Sequence, residues 1–161
     1  MPVIVAIIVT MTLSLVATVA ADNGGNRVRL QARMDGAQEV PGPGDADGRG
    51  RAKVVLNLAT RQICWEVDFR NIGTPHAGHI HRGAAGVMGP VVFPFFDPSS
   101  APASPQLMDQ LERDRGEGCG NASEALIREI AGNPAGFYVN LHNSRFPAGA
   151  IRGQLSAGGD D

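Results

Sequence analysis

Along most of this chain, hydrophobic and polar residues alternate with a period of two. In "RVRLQARM" (27–34), Val28, Leu30, Ala32 and Met34 alternate with Arg27, Arg29, Gln31 and Arg33. "RAKVVLNLAT" (51–60) sets Ala52, Val54, Leu56 and Leu58 against Arg51, Lys53, Val55 and Asn57. The pattern is clearest in "RQICWEVDFRN" (61–71), where Ile63, Trp65, Val67 and Phe69 face one way and Cys64, Glu66, Asp68 and Arg70 the other. A strand sends successive side chains to opposite faces, so each stretch predicts a strand with one buried face. "HAGHIHRG" (76–83) and "PVVFPFF" (90–96) predict two more, separated by the turn "AAGVMG". "GFYVNLHNS" (136–144) and "AIRGQLS" (150–156), joined by "RFPAG", predict a hairpin.

The segments between these strands carry a different signal. "DGAQEVPGPGDADG" is rich in turn residues and reads as a long polar loop. Residues 97–120 read as a long connection in which "SPQLMDQLERD" forms a short helix. "NASEALIREIAGNP" (121–134) predicts a stronger helix: Asn121 caps it, Glu124 follows three residues later as in a capping box, and Gly132 and Pro134 end it. Residues 156–161 read as a disordered tail. Short strands punctuated by 21 glycines and 11 prolines indicate an all-β sandwich or barrel.

Composition adds a compartment. The first 21 residues, "MPVIVAIIVTMTLSLVATVAA", contain no charged side chain. They predict a secretory signal, with Val19-Ala20-Ala21 as the small-residue cleavage site. The alternative is an uncleaved membrane anchor, since the run is nearly long enough to cross a bilayer. Nothing later in the chain is apolar enough to do so. Cleavage would leave a lead-in at 22–29 and one domain, of a size that can bury a proper core unaided. The formal net charge is −2, basic residues are scattered and aromatic residues are few, which argues against nucleic acid as a partner. Two cysteines, Cys64 and Cys119, in an exported chain predict one disulfide, and the alternative is two independent thiols.

The candidate chemistry lies in the histidines. His79 and His81 sit at i and i+2, so in an extended segment both imidazoles share a face, with Cα atoms roughly 6.5–7 Å apart. His142 shares a face with Tyr138 and Asn140 on another strand. If the two strands are neighbours, three imidazoles converge, a set that suits copper or zinc with positions left open. His76 could be a fourth ligand or simply solvated. The competing reading makes the trio structural, donating to loop carbonyls beneath "RGAAGVMGP". Glu39 could reach a metal or pair with Arg152. Arg152 could bind an anion or join a salt bridge, and Asn140 could line the site. Asn121-Ala122-Ser123 matches the glycosylation sequon but equally suits a helix cap. There is no nucleotide-binding loop and no Gly-X-Ser-X-Gly motif.

Three stretches together resemble one family. "DGAQEVP" (35–41), "AGHIHRGAAGVMGPVVF" (77–93) and "GFYVNLHNSRFPAGAIRGQL" (136–155) are similar to the CHRD domain, found repeated in chordin and singly in exported bacterial proteins. The resemblance covers residues 30–155. It implies an immunoglobulin-like, Greek-key β-sandwich with a short helix in a long connection. It also implies an extracellular binding or structural module, whose partners would be proteins or glycans, rather than an enzyme. The family's last motif usually reads Gly-Glu-Ile-Arg-Gly, whereas this chain has Gly149-Ala150-Ile151-Arg152-Gly153. A weaker resemblance to Cu/Zn superoxide dismutases rests on "GHIH", His142, the cysteine pair and Arg152. It implies the alternative of a copper-dependent oxidoreductase, but the bridging histidine and the zinc cluster of those enzymes are missing.

Overall fold

The computed structural model describes residues 25–158. The 1–21 segment therefore lies outside the described residues. Among the described residues nine strands form: β1 (Arg27–Asp35), β2 (Arg49–Asn57), β3 (Gln62–Arg70), β4 (Ala77–Arg82), β5 (Val91–Phe96), β6 (Arg115–Asn121), β7 (Phe137–His142), β8 (Ile151–Gln154) and β9 (Ser156–Ala157). Two short helices, α1 (Pro105–Leu111) and α2 (Glu124–Gly132), flank β6 in sequence. The strands make one antiparallel sheet in the order β5-β4-β7-β8-β1-β2-β3-β6, with β9 pairing to β1. The sheet is nearly closed: Phe95 of β5 stacks on Trp65 of β3, ring centroids 4.8 Å apart. The all-β, sandwich-like fold predicted from the alternation is the fold observed.

The core follows that alternation. Val28, Leu30, Ala32 and Met34 of β1, Ala52, Val54 and Leu56 of β2, and Ile63, Trp65, Val67 and Phe69 of β3 are all buried together. Cys64 and Cys119 sit directly opposite each other in the β3–β6 ladder and are joined by a disulfide, as the cysteine count predicted. The bond ties β6, at the end of the strand order, to β3.

Three expectations are corrected. The supposed connection 97–120 contains β6, "RGEGCGN", which pairs with β3 from Asp68↔Arg115 to Gln62↔Asn121. Its inward positions are Gly116, Gly118 and Gly120, so no hydrophobic alternation marks it. These glycines leave room for rings. A Cβ on Gly118 would lie 2.8 Å from Trp65 Cζ2, and one on Gly120 would lie 2.8 Å from Phe93 Cζ. Because β6 runs through Asn121, that residue is not the helix cap; Ser123 caps α2, its Oγ accepting from Leu126 N at 3.2 Å. The tail expected from Ser156 begins instead with β9, where Gln31↔Ser156 and Leu30↔Ala157 pair; residues 159–161 lie outside the described residues.

The sheet around β7 carries two buried faces. Phe137, Val139 and Leu141 point into the apolar core, while Tyr138, Asn140 and His142 point the other way and are also buried. Three loops roof this second, polar face. Loop 36–48 is held by Asp45 N donating to Ala150 O at 2.8 Å. Loop 83–90 and loop 143–149 supply acceptors to the residues beneath them.

Candidate metal centre

The β4–β7–β8 register assembles the polar face. His79 of β4 stands opposite Asn140 of β7, and Asn140 stands opposite Arg152 of β8. One step along, His81 pairs with Tyr138. His142 lies two residues beyond Asn140 on β7, on the same face. His79, His81 and His142 thus converge from two neighbouring strands, as the sequence proposed. Each offers a ring nitrogen within 4.8 Å of the others, and the rings are 7–9% exposed.

The hydrogen bonds on the outer side of each ring decide where the protons sit. His79 Nε2 donates to Asp97 Oδ2 at 3.0 Å, His81 Nδ1 to the Gly89 carbonyl at 2.8 Å, and His142 Nδ1 to the Pro147 carbonyl at 3.1 Å. A neutral imidazole has one N–H. With all three used outward, His79 Nδ1, His81 Nε2 and His142 Nε2 are left as lone pairs facing inward. His79 Nδ1 and His142 Nε2 are only 3.2 Å apart, and Asn140 Oδ1 lies 3.0 Å from the same His142 nitrogen. His81 Nε2 is buried without a partner. With the rings neutral, these inward nitrogens and Asn140 Oδ1 are all acceptors. A carbonyl or carboxylate on the outer nitrogen is also how metal-bound histidines are oriented.

Electrostatics favours the neutral form of His142 and of His81. Burial pushes His142 down to about 4, helped by neighbouring His79 and opposed by the Pro147 carbonyl. Burial likewise lowers His81 against the opposing pull of the Gly89 carbonyl. Deprotonated imidazole is the form that ligates a metal. Asp97 is held well below the usual carboxylate range, first by the Ser99 hydroxyl and then by His79. It remains an anion beside His79.

The surrounding residues fall into place around Asn140. Glu39, on the loop after β1, is 5% exposed and accepts a hydrogen bond from the Asn140 side chain. Burial pushes its carboxyl up to about 7 against the opposing pull of Arg152. Gly149, at φ +146°, makes space for it: a Cβ there would lie 2.4 Å from Glu39 Cδ. Only glycine adopts that backbone region freely. Arg152 is 1% exposed. Its Cζ lies 3.4 Å from the Tyr138 ring centroid, and its Nη2 donates to the Ala84 carbonyl at 2.9 Å. His81 stacks on the same ring, centroids 4.7 Å apart. His76 is exposed and outside the trio; only its backbone N–H joins in, donating to the His142 carbonyl at 2.9 Å.

Sequence reasoning missed Asp97 and the two carbonyl acceptors. "FDPSS" reads as a turn, and it is one: Asp97 Oδ1 accepts from Ser99 N and Ser100 N. Its other oxygen reaches His79 only because β5 folds back beside β4. Gly89 and Pro147 contribute backbone atoms, which no side-chain motif reveals.

A family model described as the CHRD domain matches residues 30–155. No curated protein and no solved structure matches the chain.

Proposed function

The chain belongs to the CHRD domain family, and from that premise we propose that it is an exported binding module which holds a copper or zinc ion on His79, His81 and His142. One observation carries the metal reading. Three buried imidazoles spend their N–H groups on outward acceptors and turn three lone pairs toward one another. Neutral nitrogens packed this way repel unless a cation lies between them. Three imidazoles suit Zn(II) or Cu(II).

Export is supported by the uncharged first 21 residues and by the Cys64–Cys119 disulfide, a bond that persists in oxidising compartments. Among the described residues, no helix is long and apolar enough to cross a membrane. A module outside the cell would have protein or glycan partners.

The test is elemental analysis of the purified protein after copper and zinc are each offered. Near-stoichiometric metal in the wild type, lost in both His81→Ala and His142→Ala, supports the centre. A well-folded wild type that retains neither metal refutes it. The alternative, a copper-dependent oxidoreductase, needs the same ligands, and a superoxide assay of the copper-loaded protein separates turnover from binding.

A further inference from the structure

Among the described residues, three buried side-chain atoms have no hydrogen-bond partner: Glu39 Oε1, His81 Nε2 and Arg152 Nη1. All three belong to the polar face around Asn140. The Asn140 side chain bonds to Glu39, and its Oδ1 lies 3.0 Å from His142 Nε2, in the same cluster as His81. In the β7–β8 ladder Asn140 stands directly opposite Arg152. Glu39 and Arg152 also attract each other as opposite charges. An unpaired buried polar group is destabilising, and more so when charged. Three such atoms in one place therefore point to a ligand.

A metal ion on the histidine nitrogens satisfies only His81 Nε2. Glu39 Oε1 still needs a donor, and Arg152 Nη1 still needs an acceptor. Glu39 is not among the groups whose ligand atoms gather within 4.8 Å, so its carboxylate stands back from the metal position. One oxygen on the metal can meet both needs: it accepts from Arg152 Nη1 and gives a hydrogen to Glu39 Oε1. The chain provides donor and acceptor together, which fits water or a small hydroxyl-bearing oxygen ligand and does not fit a fully deprotonated anion.

We propose that the centre is an open one, in which the metal's further ligand is an exchangeable solvent oxygen held between Glu39 and Arg152, with Glu39 as its positioning residue. This rests on the metal reading above and goes past it. Structural zinc sites are closed by four protein ligands, whereas three protein ligands leave a position for water or substrate. The Asn140 side chain, bonded to Glu39 on one side and beside His142 on the other, keeps the carboxylate at a fixed distance from the histidines.

The experiment uses copper as the probe. The purified wild type is loaded with one equivalent of Cu(II) in water enriched in oxygen-17 and examined by pulsed electron paramagnetic resonance. The expected result is a strong oxygen-17 coupling from a directly bound, exchangeable oxygen. Copper bound in full with no such coupling overturns the proposal and leaves the three-histidine reading standing. No copper bound overturns both. This arm needs no substitution, so a poorly folded variant does not decide the matter. In the second arm, Glu39→Gln keeps the shape and removes the anionic acceptor. Copper Kd is expected to rise 10- to 100-fold, the usual cost of losing a hydrogen-bond partner behind a metal's ligands. An unchanged Kd in a folded Glu39→Gln protein makes Glu39 a structural residue only and also overturns the proposal.

Discussion

His79 Nδ1 and His142 Nε2 face each other at 3.2 Å, although the residues are 63 positions apart and both rings spend their other nitrogen on an acceptor. The β4–β7 ladder makes this pair, and the pair makes the centre sensitive to charge. A proton or a metal ion relieves the facing lone pairs; burial opposes the proton.

That opposition predicts a pH dependence with a definite sign. His142 has its folded pKa depressed to about 4 from an ordinary value near 6.5. Between those values the unfolded chain binds more protons, so stability falls as pH drops from about 6.5 to about 4, by up to about 1.4 kcal/mol per pH unit for one group. His81 acts in the same direction. Glu39 acts in the opposite one. Its folded value of about 7 lies above the ordinary 4.5, so its contribution falls as pH rises between them. Urea midpoints measured from pH 7.5 to 4 on metal-free protein should therefore fall more steeply with acid in Glu39→Gln and less steeply in His142→Gln. Identical slopes in all three proteins would show that neither group titrates as described.

Asp97 holds His79 in the orientation that turns Nδ1 inward. Asp97→Asn removes the charge and weakens that hold. Metal affinity should fall 10- to 100-fold, the usual cost of losing such a partner. Competition with a metallochromic indicator reads this directly. The fold should survive, because Asp97 is partly exposed and lies outside the apolar core.

The glycine face of β6 is a packing device. Gly118→Ala and Gly120→Ala each push a methyl to within 2.8 Å of an aromatic ring. Each should cost about 1–3 kcal/mol by overpacking. Gly132→Ala is the control: nothing lies within 4 Å of a Cβ at the end of α2. It should be neutral or stabilise by up to about 1 kcal/mol through helix propensity. Urea unfolding of the three variants at one pH tests the contrast.

The Cys64–Cys119 bridge spans a sequence separation of 55. In the chain-entropy picture, closing a loop of that length contributes about 4 kcal/mol. The double variant Cys64→Ser, Cys119→Ser should lose about that much stability. It should still bind metal, because the bridge joins β3 to β6 and the histidines stand on β4 and β7. Unfolding curves and metal titration of the same sample check both statements.

By itself, the sequence determined what depends on neighbours a few residues away. Period-two alternation located β1, β2, β3 and the β7–β8 hairpin, because each inward side chain announces its own face. The motifs around His79, His81 and His142 carried the family. The cysteine count announced a disulfide in the same way. Four features were settled only by the tertiary structure. β6 was hidden because its inward residues are glycines, which have no side chain to alternate. The cap of α2 moved from Asn121 to Ser123 because pairing with β3 holds Asn121 in the sheet. The outer partners of the histidines, Asp97 and the carbonyls of Gly89 and Pro147, come from loops folded over the sheet. Whether two histidines on one strand meet a third on another depends on strand order and register. Long-range hydrogen bonding sets both, and no local pattern in the chain encodes them.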